Sequence, residues 1–378
     1  MIPVIKPWLG EEEAAAAADT VRSGWVAQGP RVAEFEAGFA ASVGQSQGIA
    51  LSSCTTALHL SLHLLGVGPG DEVVVPSFSF IATANAVRYV GATPVFADVD
   101  AATGNLTPET VDAVLTPKSV AVIGVHQGGM PFDVDALEAL CAKRSLALVQ
   151  DAACAAGSTY KGKPVGTGAS MAAWSFHPRK LLTTGEGGML TTDDAEWAVR
   201  LRRLREHGMS ASAAERHNAS GVKLESYDEV GFNFRMTDVQ AAIGLVQLAK
   251  LPEVIAKRRE IAERYHKMLA EIDGLRPVGD PEYGTTNYQS FWVVLPDEYQ
   301  GSVVDVLNGL LERGVSARRG IMASHLEGAY ADAPRVELPV TERLTRRSLI
   351  LPVFHQMTDA EQDTVVTGLT EILRETAR

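Results

Sequence analysis

The chain has 378 residues, with 34 Lys and Arg against 46 Asp and Glu for a formal net charge of −12; 46% of residues are hydrophobic and 21% charged. That apolar fraction can bury enough surface to offset the entropy of ordering, which excludes a disordered or low-complexity protein, and domains of roughly 100–200 residues make two domains the expectation. The acidic balance argues against a broad footprint on nucleic acid or an anionic membrane, yet leaves room for a local basic pocket that takes one phosphorylated ligand.

In chain order, the acidic, Ala-rich stretch Glu11 to Arg22 predicts an exposed helix that ends at Ser23-Gly24, and a second helix covers Arg31 to about Val43. Short apolar runs then alternate with helical patterns: strand Gly48 to Ser52, helix Thr55 to Leu65, strand Glu72 to Pro76 and helix Ile81 to Val90. Strands at Thr93 to Ala97, Val120 to Val125 and Ala147 to Gln150 follow, with a helix Asp133 to Arg144 between the last two. This alternation predicts an α/β fold with a mostly parallel sheet covered on both faces. Ligands then gather at the carboxyl ends of the strands, beside the helix N-termini. A charged helix from about Pro252 to Ile272 leads, past the turn Asp273-Gly274, to one clear strand, Gln289 to Leu295, and to helices at Val304 to Arg313 and Asp359 to Arg378. The pattern divides the chain into a large unit, 1–250, and a smaller C-terminal α+β unit, 251–378.

Cys54, Cys141 and Cys154 are too few and too scattered for a disulfide framework, and none forms a Cys-x-x-Cys metal knuckle. The N-terminus lacks the basic and apolar regions of a signal peptide, and no run of about 18 apolar residues stands out. The expectation is a cytoplasmic protein working on small molecules, with no metal, nucleic-acid or membrane partner.

The segment richest in chemistry is Trp174-Ser-Phe-His-Pro-Arg-Lys-Leu-Leu-Thr-Thr-Gly-Glu-Gly-Gly-Met189. Lys180 there is either a surface lysine or an amine that condenses with an aldehyde cofactor, which asks for a desolvated site that lowers its pKa. Asp151, after the apolar run Leu146-Ala-Leu-Val, is either a helix cap or a carboxylate at a strand's carboxyl end. Together, Lys180 and Asp151 suggest pyridoxal phosphate (PLP), whose pyridinium nitrogen needs an acidic partner. A phosphate site is available in Leu51-Ser-Ser-Cys-Thr-Thr-Ala57, where Thr55 and Thr56 stand at a helix N-terminus, and Ser175 is a further candidate. His126, at a strand end, is either structural or in contact with cofactor or substrate. Arg318-Arg319 with His325 are either solvated charge or a seat for an anionic substrate group.

Asp151-Ala-Ala-Cys154, Ser175-Phe-His-Pro-Arg-Lys180, Thr184-Gly-Glu-Gly-Gly188 and Gly231-Phe-Asn-Phe-Arg-Met236, with Ser23-Gly-Trp-Val-Ala-Gln-Gly29 and Asp71-Glu-Val-Val-Val-Pro-Ser-Phe-Ser-Phe80, resemble the DegT/DnrJ/EryC1/StrS family of PLP-dependent sugar aminotransferases. The likeness runs from Pro3 through Leu351-Pro-Val-Phe. It implies the aspartate-aminotransferase-like fold (fold type I) and a set of roles. Lys180 falls on the Schiff-base lysine, Asp151 on the pyridinium partner, Ser175 with Thr55 and Thr56 on the phosphate cradle, and Phe80 on the residue that stacks on the cofactor ring. Asn233 falls on an asparagine that reaches the phosphate of the neighbouring subunit, which implies a homodimer with shared active sites. Cys154 departs from the pattern, since many relatives carry Gln or His near the cofactor's ring hydroxyl, and a thiol is a weaker hydrogen-bonding group.

A dehydrating branch of the family has histidine in place of the lysine; Lys180 disfavours it, and His177 is three residues out of register. The expected activity is transfer of an amino group from glutamate or glutamine to a keto sugar, nucleotide-linked by family likeness, with a keto cyclitol or other free ketone as the alternative acceptor. A regulator that keeps the cofactor fold as a sensor is the reading from another class.

Overall fold

The computed structural model describes residues 1–211, 221–222, 224–333 and 336–375. Helix α1 (Glu11–Ser23) opens with three glutamates at its positive end and closes on Gly24, whose φ of 81° supplies the left-handed turn. After α2 (Pro30–Ser42) the expected alternation appears within a residue or two: β1 (Gln47–Leu51), α3 (Cys54–Leu64), β2 (Glu72–Pro76), α4 (Ala82–Tyr89), β3 (Thr93–Ala97), β4 (Ser119–Val125), α5 (Val134–Arg144) and β5 (Ala147–Asp151). Then come β6 (Ala172–Ser175), β7 (Gly188–Thr192) and α6 (Ala195–Leu204).

The seven strands lie in the order β1-β7-β6-β5-β4-β2-β3. Only β7 runs against both its neighbours, so the sheet is mostly parallel as expected. The period of two along each strand decides the two faces. Val73, Val75, Ala121 and Ile123 pack with Leu58, Leu62, Val87 and Leu201 of α3, α4 and α6. The opposite face divides between Val74 and Val122, which meet Leu137 of α5, and Ala50, Trp174 and Met189, which meet Phe35 and Phe39 of α2.

The charged helix starts earlier than its sequence suggests. Helix α7 is continuous over Asp238–Leu269 and carries Pro252 inside it. Proline is favoured in a first turn, which is why the sequence reads as a start there; the actual start is set by a reciprocal cap, Thr237 N–H to Gln240 Oε1 (2.9 Å) and Gln240 N–H to Thr237 Oγ1 (3.2 Å). Residue 250 therefore falls within this helix. Part of α7 is apolar and long enough to cross a bilayer by composition. It nevertheless packs on α1 and α2, and its Gln247 and Lys250 bond Glu13 at 2.8 Å each.

Beyond α7, a second sheet of β8 (Arg276–Pro277), β9 (Phe291–Val294), β10 (Arg318–Arg319) and β11 (Ser348–Leu351) is ordered β8-β9-β11-β10 and wholly antiparallel. Three more strands thus join the one expected. Helices α8 (Val303–Glu312), α9 (Pro339–Arg347) and α10 (Asp359–Glu375) complete this part; residues 376–378 of the predicted last helix lie outside the described residues. Phe291, Val293, Leu310, Leu369 and Tyr265 form one core with Val74 and Val122 of the first sheet.

Candidate active site

The carboxyl ends of β2, β4, β5 and β6 and the N-terminus of α3 enclose a cavity of about 340 Å³. Its far wall comes from Val4 and Ile5 of the N-terminal segment and from Gln289, Ser290, Arg318, Ile350 and Val353 of the second sheet and its flanks. Of the expected residues, Asp151, Lys180, Thr55, Phe80, Cys154 and Ser175 all line this one space. Thr56 and Asn233 are not in the lining.

Asp151 is the last residue of β5, one beyond the predicted strand end, and pairs in register with Val125 of β4 and Ala173 of β6. Ladders on both sides therefore fix its carboxylate at the cavity floor, where the residue is 5% exposed. Oδ2 accepts from Thr83 Oγ1 at 2.9 Å, and Oδ1 accepts from Ala153 N–H at 3.2 Å and from the Cys54 thiol at 3.9 Å. Burial pushes the Asp151 pKa up, against the opposing pull of these donors and of Lys180. A buried carboxylate held only by neutral donors is complementary to a cation that the cavity can admit.

Lys180 sits in the loop after β6, half-buried, and its Nζ donates to Cys154 Sγ at 3.0 Å. Burial alone pulls its pKa down, but the neighbouring Cys154, Cys54 and Asp151 outweigh burial and the net direction is upward. In the cofactor-free protein the net direction is therefore opposite to the lowering that the sequence reading asks of an amine about to condense with an aldehyde.

Ser53 caps α3, its Oγ accepting from Thr56 N–H at 3.2 Å, and no acidic residue occupies the first turn. The positive end of α3 is thus open toward Ser53, Cys54 and Thr55, all in the cavity lining. Thr56 Oγ1 donates to the Ser53 carbonyl at 2.7 Å, so its hydroxyl serves the cap instead of the cavity. Glycines of the Thr184–Gly188 turn explain this local geometry. Gly185 has φ of 83°, and a Cβ on Gly188 would collide with the backbone of Ser53 and Cys54.

Phe80 is 70% exposed on the cavity wall, an aromatic ring with no ring partner among the described residues. His126 also lines the cavity but is fully buried; Phe132 N–H donates to its Nδ1 at 3.4 Å, so Nε2 carries the proton toward Gln150 Oε1 at 3.1 Å. Burial lowers its pKa to about 4. It is a neutral wall with both nitrogens engaged. Of the basic cluster, only Arg318 reaches the cavity: Arg319 Nη2 turns to Glu327 at 3.7 Å, and His325 Nδ1 meets Ser77 Oγ at 2.6 Å outside the lining. Asn233 is exposed, bridging Glu206 through the backbone.

Thr83 and Gln289, which line the cavity, and Arg258 behind its far wall are residues that the sequence does not mark. Gln289 braces the lysine loop, its Oε1 accepting from Leu181 N–H at 3.0 Å and its Nε2 donating to the Arg179 carbonyl at 2.6 Å. Arg258, 2% exposed, donates to the carbonyls of Tyr288, Gln289 and Val353 at 2.8, 2.9 and 2.8 Å, tying the far wall to α7. No motif marks these residues, which act over separations of 68, 108 and 31 positions.

A buried carboxylate, a nearby amine, an open helix N-terminus and a bare aromatic face in one cavity match, group for group, the ring nitrogen, aldehyde, phosphate and ring of a pyridoxal phosphate. Among solved structures, the chain matches TlmJ, an aminotransferase from Streptoalloteichus hindustanus, at 40% identity and a TM-score of 0.92, covering 100% of both chains. It matches Spr1654 from Streptococcus pneumoniae in its PMP-form at 28% identity and a TM-score of 0.93, again over 100% of both chains; a PLP-form of that protein is known too. DesI, solved in the presence of its TDP-sugar product, matches at 32% identity and a TM-score of 0.88, over 97% of this chain and 91% of that one. Such full-length agreement shows the expected fold of PLP-dependent aminotransferases. The model of the DegT/DnrJ/EryC1/StrS aminotransferase family spans residues 7–370, so this chain belongs to that family and is an aminotransferase.

Proposed function

We propose that the chain is a sugar aminotransferase that carries an amino group from glutamate or glutamine to a nucleotide-linked keto sugar, in amino-sugar or natural-product biosynthesis. The observation that carries this reading is the convergence of Asp151 and Lys180 on one cavity, from the end of β5 and the loop after β6. The cofactor is pyridoxal phosphate, which supplies an aldehyde to hold the migrating nitrogen and a ring to take up the electrons freed at the donor's α-carbon. Asp151 holds a proton on the ring nitrogen. Lys180 Nζ would hold the aldehyde carbon, whose oxygen leaves as water, and, as the free amine that the donor's nitrogen displaces, would carry the proton from the donor's α-carbon to the former aldehyde carbon. The end of α3 with Thr55 and Ser175 takes the phosphate, and Phe80 covers the ring. Cys154, bonded by Lys180 Nζ at 3.0 Å, stands at the position where many relatives carry Gln or His near the cofactor's ring hydroxyl.

The solved likeness of DesI with a TDP-sugar supports a nucleotide-linked acceptor. In this reading Asn233, exposed and away from the cavity of its own chain, completes the phosphate site of a second subunit in a homodimer. The large cofactor-binding unit, 1–250, and the small unit, 251–378, then share α7 across their boundary.

The acceptor is tested by loading the enzyme with the amine form of the cofactor and presenting nucleotide-linked keto sugars beside free keto cyclitols. Return of the aldehyde spectrum with a nucleotide-linked sugar is expected; return only with free cyclitols overturns the nucleotide link, and failure of any amino acid to generate the amine form favours a sensor. For the dimer, Lys180→Ala and Asn233→Ala subunits are mixed. Recovery of activity is expected, because one shared site then collects both lesions, and no recovery despite subunit exchange refutes sharing.

A further inference from the structure

Two guanidinium groups at the cavity mouth have no counterion among the described residues. Arg179 precedes Lys180 in the loop after β6, and Arg318 lies across from it on β10, paired through its backbone with Ile350. Both are exposed, both line the cavity, and neither side chain makes a hydrogen bond or ion pair to a described residue. Other guanidinium groups differ: Arg319 reaches Glu327, and the buried Arg258 donates to three backbone carbonyls. Burial and the positive charges of Arg179 and Arg319 all disfavour the charge on Arg318. Burial likewise lowers the His177 pKa; Glu186 opposes that shift, while Arg179, Lys180 and Arg318 add to it. The remaining charged groups of the lining are Asp151 on the floor and Glu186 on the rim, the latter 3.8 Å from His177 Nε2. Like charges brought together without a counterion are a standing cost that an incoming anion removes.

We propose that Arg179 and Arg318 clamp the α-carboxylate of the amino-acid donor. The proposal rests on the aminotransferase reading above. An α-carboxylate is bonded to the carbon that carries the migrating nitrogen, so its clamp must lie next to the amine that serves this carbon, and Arg179 adjoins Lys180. The diphosphate of a nucleotide-linked sugar is separated from the ketone by ring atoms and extends outward from the mouth. Two planar forks also match a carboxylate's two oxygens. Ile5, Ile350 and Val353 line the same cavity as Arg318, and their apolar surface strengthens the pairing by holding off water.

The test measures the two half-reactions separately in the PLP-loaded protein, with Arg179→Gln and Arg318→Gln. Glutarate has no amino group and cannot turn over, so its binding is followed by calorimetry. Each variant is expected to weaken glutarate about 10- to 100-fold, the loss of one charge-assisted hydrogen-bonded contact, and to raise the glutamate and alanine concentrations needed to form the amine cofactor by similar factors. Equal losses for glutamate and alanine identify the α-carboxylate, whereas a loss confined to glutamate assigns the clamp to the side-chain carboxylate and overturns the proposal. Arg318→Lys keeps the charge and is expected to recover part of the affinity; no recovery attributes the effect to packing and also overturns it. With the amine cofactor loaded directly, return of the aldehyde by a TDP-linked keto sugar is expected to stay within about twofold of the parent protein. Loss in that arm, with glutarate binding intact, makes the pair a diphosphate clamp. If the parent protein accepts no nucleotide-linked sugar, the acceptor reading fails while the donor arm still decides the clamp.

Discussion

The floor and the mouth of the cavity are built on opposite principles. On the floor, Asp151 is locked between two strand ladders and bonded by Thr83, Ala153 and Cys54, and Lys180 is bonded to Cys154. At the mouth, the side chains of Arg179, Arg318 and Phe80 are exposed and uncommitted among the described residues. A group with one fixed partner can be held rigidly throughout the reaction, and rigidity there preserves the alignment that proton transfer needs. A group that must release one substrate and accept another cannot be satisfied by the protein itself. Saturated floor and unsatisfied mouth thus divide chemistry from exchange of substrates, and mutations at the two levels should separate kcat from KM.

The largest effect is expected at Lys180. In the proposed mechanism Lys180→Ala removes the amine that bonds the aldehyde, so the borohydride-reducible link to PLP should vanish and turnover fall by at least about 10³-fold, with phosphate-dependent cofactor binding retained. A surviving reducible link would remove Lys180 from this role. Asp151→Asn comes next. It keeps the shape of the floor but loses the charge proposed to hold the ring nitrogen protonated, so PLP should still bind while donor-driven formation of the amine cofactor slows about 10²- to 10³-fold. Near-normal rates would contradict the division, because they would make the most rigid group of the floor dispensable.

The same residue carries a signature in stability. Burial raises the Asp151 pKa above its ordinary value of 3.8. In the window from 3.8 up to the folded value, the native state binds more protons than the unfolded one, so the stability that this group contributes is present below 3.8 and lost as pH rises through that window. Asp151→Asn has no such loss. Without cofactor, the variant should therefore melt above the parent protein at neutral pH, and the gap should close near pH 3.5; PLP should narrow or reverse the gap at neutral pH by supplying the missing cation. A gap independent of pH would show that the carboxylate is not strained by burial.

Thr83→Val probes how much of the floor's function lies in its support. Loss of the 2.9 Å bond to Oδ2 leaves Asp151 in place with one fewer donor; the expected effect is about tenfold on the donor half-reaction, the scale of one hydrogen bond to a charged group, with little change in the substrate concentration needed. Thr83 also shows where sequence reasoning stops. Asp151, Cys154, Ser175 and Lys180 were legible because they sit in short stretches that follow strands, and the alternation of β-strand and helix placed those stretches at one edge of the sheet. Thr83 lies in the first turn of α4 with no distinguishing neighbours, and its partner is 68 positions away. Gln289 and Arg258 are silent for the same reason: their roles depend on how the second sheet docks on the first. The start of α7 was missed differently, since the reciprocal cap Thr237–Gln240 was visible in sequence but Pro252 gave the louder signal. The strands of two to four residues in the second sheet are too short for a period of two to show.

The smallest effect is expected at Cys154, and it tests whether a floor contact can tune chemistry without being essential to it. The thiol beside Lys180 is one of the groups that outweigh burial and hold the lysine pKa up. Cys154→Ala deletes that support while burial remains, so the Lys180 pKa should fall. Only the neutral amine attacks an aldehyde, and for a lysine that titrates above neutral pH its population at pH 7 rises about tenfold for each pKa unit lost. PLP should consequently add to the cofactor-free variant several-fold faster than to the parent protein at pH 7, with the advantage shrinking as pH approaches the lysine's own range. Cys154→Gln can accept a hydrogen bond from the amine through its neutral Oε1 but brings no acidic group, so it should accelerate addition too, to a smaller extent. Stopped-flow absorbance of PLP addition across pH 6 to 10 reads both variants. Unchanged rates would mean that the 3.0 Å contact does not govern the protonation of Lys180, and that the floor's influence on the amine comes from Asp151 and Cys54 alone.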